Sequence, residues 1–312
     1  MVLLRICKKN YIFVIAKYSV TMDYAKELEK YSPAHSDTQV AKEVAKIKVA
    51  ANRNDNADVY KFCYSAIDLT TLSCTDSHES VREFARKAVD FYNVYPDIPN
   101  VASICVYPPF VETVGLEIDG TPMRITSVAG AFPASQSFIE VKALEVAMAI
   151  ENGADEIDIV LNPGMVLSGH VDEAASEVEL LREEAKDVVL KVIIESGALK
   201  TPEMIRRASL ISMFAGADFI KTSTGKIDIA ATPEAAFIMC TAIKDYYNET
   251  GRKVGFKAAG GVKTPEDAAL YYTIVEEVLG KEWLTTDLFR IGASSAANNL
   301  ISAIIDKPTK YF

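Results

Sequence analysis

Residues 154–162 read ADEIDIVLN, and the alternation inside this short run decides the architecture. Successive side chains of a strand point to opposite faces, so Glu156, Asp158, Val160 and Asn162 share one face while Ile157, Ile159 and Leu161 share the other. The isoleucine face suits a covering layer of helices, and Asp158 is then directed into an enclosed interior. The runs that follow repeat the theme. VVLKVIIE (188–195) sets Lys191 in phase with Ile193 and Glu195, ADFIKTS (217–223) sets Lys221 in phase with Phe219 and Ser223, and VGFKA (254–258) sets Lys257 in phase with Gly255.

Further β-branched runs at 64–69, 101–107, 125–131 and 288–291 bring the strand candidates to eight. Helical stretches lie between them at 77–92, 135–152, 171–186, 201–215, 232–250 and 264–279, and a last one follows at 293–305. Three of them open with a Thr cap and Pro at the first helical position: Thr201-Pro202, Thr232-Pro233 and Thr264-Pro265. Strands alternating with helices build parallel sheets through βαβ units. Eight repeats over roughly 250 residues predict an α/β TIM (β/α)₈ barrel with extra N-terminal helices. A doubly wound sheet normally carries a Gly-rich dinucleotide turn near its first strand, and no GxGxxG is found there.

The expected barrel spans 61–312. Ahead of it, 22–60 is rich in Lys, Glu and Ala at helical spacing and reads as a helical extension packing on the barrel. Residues 1–21 read as an extension with little structure, with Met22 an alternative start. Lys8 and Lys9 precede the apolar residues 11–16, but that run is shorter than a secretory core of roughly 7–15 residues and Lys17 interrupts it. It also falls far below the ~20 residues needed to span a bilayer.

At 312 residues, 49% hydrophobic and 24% charged, the chain can bury one large core. A formal net charge of −10 argues against nucleic acid or an acidic membrane surface as a partner, because the long-range field repels phosphate backbones. An anionic substrate must therefore be held by local cations and backbone amides. The five cysteines, Cys7, Cys63, Cys74, Cys105 and Cys240, contain no CxxC pair and fit reduced thiols in a cytoplasmic protein.

Lys191, Lys221, Lys257, Asp68 and Asp158 all fall on or near interior-facing strand positions, where lone charges are costly unless they neutralise one another. Lys221 and Lys257 lie at the C-terminal ends of adjacent strands, where barrels place their active sites. A lysine is nucleophilic only as the neutral amine, and a neighbouring ammonium in a poorly solvated pocket disfavours its protonation. One lysine can then attack a carbonyl while the other holds the charge, with Asp158 moving protons.

Just past strand six comes STGK (Ser223–Lys226), past strand seven AAGGV with Gly260 and Gly261, and past strand eight IGASSA with Ser294 and Ser295 at a helix start. Any one of these turns alone reads as an ordinary helix cap. Together, on successive strands, they read as a phosphate cradle of close-approaching backbone and free helix amides. His35, His78 and His170 lack ligand spacing, so no metal or cofactor is expected. A nucleophilic Cys105 has no histidine at a strand end to serve as its base, which leaves it as a small pocket-wall residue.

With these residues in view, the blocks AIDLTTL, ICVYPPF, ADEIDIVLN, LKVIIESGALK, FIKTSTGK, GFKAAGGV and FRIGASS resemble those of the deoxyribose-phosphate aldolase family, from about residue 60 to 305. The resemblance implies a class I aldolase that reversibly cleaves 2-deoxy-D-ribose 5-phosphate to D-glyceraldehyde 3-phosphate and acetaldehyde in deoxyribose phosphate catabolism. It implies Lys221 as the Schiff-base lysine, Lys257 as the lysine that perturbs it and Asp158 as the proton-relay acid. Asp68, Lys191 and Cys105 match positions lining the family's pocket. Phosphate contacts are implied for Thr224, Gly225, Lys226, Gly260, Gly261, Ser294 and Ser295. Two departures stand out. Ala258 replaces the Pro that many members carry after the second lysine, and where some members use a C-terminal tyrosine to assist proton transfer, Tyr311 is penultimate here and reads equally as part of a frayed end. A homodimer is expected by analogy alone.

Overall fold

The computed structural model describes residues 2–6, 11–15, 22–31 and 35–312, with side chains described from residue 22 onward. Eight strands close into a ring: Ile67–Thr70 (β1), Ser103–Val106 (β2), Arg124–Val128 (β3), Glu156–Val160 (β4), Val189–Ile193 (β5), Phe219–Lys221 (β6), Gly255–Ala259 (β7) and Phe289–Ala293 (β8). Neighbours pair in chain order, every ladder is parallel, and β8 pairs back onto β1, which is the predicted (β/α)₈ barrel. Closure leaves no free sheet edge.

The helices follow from sequence devices at their starts. Tyr24–Leu28 (α1) is capped by the Asp23 side chain, Asp37–Ala50 (α2) by a Ser36–Gln39 capping box, and Ala57–Ser65 (α3) by Asn56. His78–Val94 (α4) starts at Ser77, and Val111–Ile118 (α5) follows β2. Ile139–Glu151 (α6), Pro163–Leu167 (α7), Val171–Glu184 (α8) and the single turn Ser196–Leu199 (α9) come next. Pro202–Phe214 (α10), Pro233–Thr250 (α11) and Pro265–Val278 (α12) are capped by Thr201, Thr232 and Thr264 as expected, and Ser295–Ile304 (α13) completes the ring.

Several elements differ from the sequence expectation. Tyr64, assigned by its apolar run to the first strand, lies in α3, whose buried Val59, Tyr60, Cys63 and Tyr64 keep helical spacing, so the strand starts at Ile67. Helix α5 was not anticipated, because its eight residues follow the helix-breaking pair Pro108-Pro109 and give too short a periodic signal. Helix α6 begins at Ile139 rather than near 135, since the loop before it holds Ala131 and Ser135 at positive φ.

The core lies between the strands' outer faces and the helices, with Ile157, Ile159, Val192, Ile220 and Phe256 fully buried in it. The N-terminal helices pack on the outside of the barrel, α1 against α8 and α10, α2 against α11 and α12, and α3 against α12 and α13. Residues Val2–Ile6 and Tyr11–Ile15, where little structure was expected, pair as a separate antiparallel ladder. At the other end, Tyr311 and Phe312 both donate backbone N–H groups to Asn298 Oδ1, which lays Tyr311 against Phe91 on α4 and Tyr95 just after it.

Candidate active site

The strand register brings the predicted charges side by side. Asp158 on β4 is the direct partner of Lys191 on β5, and Lys221 on β6 is the direct partner of Lys257 on β7. Their side chains converge inside the ring. Lys221 Nζ and Lys257 Nζ each donate to Asp158 Oδ2 at 2.8 Å, and Lys191 Nζ donates to Asp158 Oδ1 at 3.0 Å. Lys257 also pairs with Asp68, while Lys191 reaches Glu156 at 2.5 Å.

Below these groups lie two that sequence reading left without a role. Arg290 Nη1 donates to Asp68 Oδ1 at 2.5 Å and its Nη2 to Glu156 Oε1 at 2.7 Å. Hydroxyls complete the web, with Ser103 Oγ donating to Asp68 and Thr126 Oγ1 to Glu156, both at 2.8 Å. The phase of Glu156 with Asp158 was a usable signal for one of the pair. Arg290 alternates with Phe289 and Ile291 as Asp158 does with Ile157 and Ile159, but the carboxylates it pairs with lie far away in the chain.

Burial and these contacts set the charge states. Desolvation lowers the Lys221 amine below the ordinary lysine range and the Lys257 ammonium adds to the fall, overcoming the opposing pull of Asp158. Burial therefore outweighs the neighbouring charge on which the sequence argument leaned. Burial pulls in the same direction at Lys257 and Lys191, yet the carboxylates around each raise them overall. Asp158 and Asp68 would be raised by burial, but their cation neighbours hold them well below the usual carboxylate range, and Glu156 is likewise brought down to about 2. Of the three interior lysines, Lys221 alone moves toward the neutral amine.

Lys221 opens onto a cavity of about 520 Å³ at the C-terminal end of the strands. The same cavity is lined by Thr224, Gly225, Lys226, Gly260, Gly261, Ser294 and Ser295, so the residues expected to contact phosphate share one cavity with Lys221. Gly225 and Gly260 have φ of +74° and +72°, and a Cβ at Gly260 would stand 2.7 Å from the Ala230 Cβ. Ser294 caps α13 without a side-chain hydrogen bond, leaving that helix's first amides free toward the cavity. Lys226 Nζ donates to the Leu72 carbonyl at 2.5 Å. Beneath the cradle, Glu195 holds a left-handed backbone (φ 54°, ψ 60°) and its buried carboxylate accepts from Thr224 N at 3.2 Å and Thr224 Oγ1 at 2.5 Å.

Cys105 is fully buried with Leu72 and Val128 in a small apolar cluster that Tyr107 and Phe132 cover, and burial pushes its thiol up. That leaves it un-ionised, and it is not among the residues that line the cavity, where a wall position was expected. Tyr311, packed on α4, is not among the cavity-lining residues. His78 pairs with Thr113 and His170 with Glu173.

A parallel barrel that keeps one desolvated amine at the C-terminal ends of its strands, with a carboxylate at hydrogen-bond distance, is equipped to activate a carbonyl through its own lysine. The chain belongs to the DeoC/LacD family of aldolases, whose family model matches residues 62–295, and it is therefore a carbon–carbon lyase. It is 40% identical over 246 residues to the deoxyribose-phosphate aldolase of Mus musculus, a match covering 75% of this chain and 77% of that one. A Caenorhabditis elegans relative, 38% identical over 296 residues, covers 94% of this chain and 97% of its own, so that match takes in most of the N-terminal helical region. Among solved structures, the tetrameric deoxyribose phosphate aldolase of Aeropyrum pernix superposes with a TM-score of 0.63 at 27% identity, covering 84% of this chain and 97% of that one.

Proposed function

We propose that this aldolase cleaves 2-deoxy-D-ribose 5-phosphate reversibly to D-glyceraldehyde 3-phosphate and acetaldehyde, through a Schiff base on Lys221 and with no cofactor. The observation that carries the reading is the coexistence, in one cavity, of an amine held toward neutrality and a ring of glycines and helix amides suited to a phosphate. Neutral Lys221 Nζ adds to C1 of the open-chain aldehyde, and the carbinolamine loses water to give an iminium. Asp158, acting with an ordered water, takes the proton of the C3 hydroxyl. The C2–C3 bond breaks, its electron pair forming the enamine as glyceraldehyde 3-phosphate departs. Protonation of C2 and hydrolysis of the resulting iminium consume the water released earlier, free acetaldehyde and restore the amine.

In this reading Lys257 keeps its charge beside Lys221, Asp68 and Lys191 hold the carboxylate and ammonium groups in place, and Cys105 sits fully buried near the Lys221 amine. Thr224, Gly225, Lys226, Gly260, Gly261, Ser294 and Ser295 receive the phosphate. Assembly as a homodimer in the cytoplasm belongs to the same proposal; the unpaired thiols of Cys63, Cys74, Cys105 and Cys240 accord with that compartment. Among the described residues no helix is long and apolar enough to cross a membrane.

The test is incubation with acetaldehyde and borohydride, followed by peptide mass spectrometry. An ethyl adduct confined to Lys221 is expected. An unmodified chain points instead to a barrel that binds a sugar phosphate without turning it over, and a substrate panel separates deoxyribose 5-phosphate from other phosphorylated sugars.

A further inference from the structure

With Lys221 as the reacting amine, its neutrality has a cause wider than one neighbouring ammonium. The carboxylates that belong to the ring's ion-pair web are Asp68, Glu156 and Asp158, the buried Glu195 being turned to Thr224 and paired with none of these cations, and the buried cations other than Lys221 are Lys191, Lys257 and Arg290. Three negative and three positive charges cancel. Lys221 is the surplus cation, and it is the only one of the four that lines the cavity. A guanidinium stays charged at any working pH, so Arg290 permanently occupies Asp68 and Glu156.

The groups facing Lys221 fit this count. Asp158 comes from β4, Lys257 from β7 and the protonated Cys105 thiol from β2, with Lys191 of β5 across the Asp158 carboxylate. Lys226 and Lys263 line the outer part of the cavity. Arg124, half exposed, touches Glu156 at 3.2 Å and is itself countered by the exposed Asp287 at 2.8 Å.

We infer that Arg290 and Glu156, which make no contact with the Lys221 amine, are positioning residues that set its ionisation through the charge count of the closed ring. Replacing Arg290 with a neutral residue leaves one carboxylate in excess inside a low-dielectric interior, and protonating Lys221 is the cheapest remedy. Replacing Glu156 with Gln leaves one cation in excess and makes that protonation harder. The two changes act with opposite signs, whereas plain structural damage acts with one.

The experiment measures, on the full chain, the pH dependence of reductive trapping of acetaldehyde at Lys221 with cyanoborohydride. Wild type, Arg290→Met, Glu156→Gln and the double variant are compared, with thermal unfolding as a check on folding. The Arg290→Met midpoint is expected to rise by about one pH unit, cutting trapping at neutral pH about ten-fold. The Glu156→Gln midpoint falls, and the double variant returns to the wild-type value. Equal midpoints throughout, or both single variants moving the same way, overturn the assignment. Should Arg290→Met fail to fold, the Glu156→Gln midpoint decides alone, since a fall supports the role and a rise or no change refutes it. Wild-type protein that traps nothing at Lys221 overturns the Schiff-base reading itself, an outcome distinct from trapping whose midpoints do not move.

Discussion

Lys221 and Lys257 are register partners on adjacent strands and donate to one and the same oxygen, Asp158 Oδ2, at equal distances of 2.8 Å. Two ammonium groups on one oxygen cannot both be comfortable in a buried site, and the lysine with two carboxylates, Lys257, keeps its proton more firmly than the one with a single carboxylate.

Lys257→Leu removes the ammonium beside Lys221, so the Lys221 pKa rises and the fraction of neutral amine at pH 7 falls. Turnover at neutral pH should drop by about 10²-fold or more and recover partly as the pH is raised. Undiminished activity at pH 7 would falsify the charge argument.

For Asp158→Asn, the loss falls on proton transfer rather than on holding the sugar. A kcat lower by about 10²–10⁴-fold with KM changed only a few-fold is expected. Steady-state kinetics that instead show a raised KM at an intact kcat would assign Asp158 to binding.

Gly260→Ala must place a Cβ at a φ of +72° and against Ala230, which distorts the cradle where it meets Gly225. KM for deoxyribose 5-phosphate should rise about ten-fold while the variant and the wild type treat unphosphorylated 2-deoxyribose alike, because only the phosphate end is disturbed. Equal losses on both substrates would place the damage elsewhere.

Glu195 stores backbone strain of about 1–3 kcal/mol to aim its carboxylate at Thr224. Truncation in Glu195→Ala should therefore raise KM for the phosphorylated sugar with kcat nearly kept, and Glu195→Gln, which retains an acceptor, should recover part of the loss. If the two variants are indistinguishable, the hydrogen bond to Thr224 is not what matters.

Asp68, Glu156 and Asp158 have folded-state pKa values below those of the unfolded chain, which lie near pH 4. Their contribution to stability is complete above that range and is lost as the pH falls through the folded values, about 2 for Glu156 and lower still for Asp158. Urea unfolding followed at several pH values should show stability declining steeply between about pH 4 and pH 2. A flat profile there contradicts the linkage.

Much of this was legible beforehand because strand alternation is a two-state signal. The phases of Asp158, Lys191, Lys221 and Lys257 each needed only a handful of neighbours to settle, and all four side chains meet inside the ring. Glu156 was in phase as well, but a carboxylate near the start of a strand reads equally as solvated. Arg290 carried the same alternation, between Phe289 and Ile291, but its pairing with Glu156 joins residues 134 apart and depends on how the barrel closes. The α3–β1 boundary was misplaced for a local reason: Cys63 and Tyr64 are as apolar as the strand that follows, and periodicity cannot divide a continuous apolar run. Helix α5, short and led by two prolines, carried too few residues to register a period.

If Lys226 receives the phosphate as proposed, its hydrogen bond to the Leu72 carbonyl gives substrate capture the character of an exchange. An incoming phosphate would then take the ammonium from a neutral oxygen already in contact with it, and this lysine would contribute only the difference between two hydrogen bonds rather than the whole of one. Product departure runs the same exchange backwards, with a waiting acceptor to receive the cation, and the loop bearing Leu72 thereby tempers how tightly the enzyme grips either sugar phosphate.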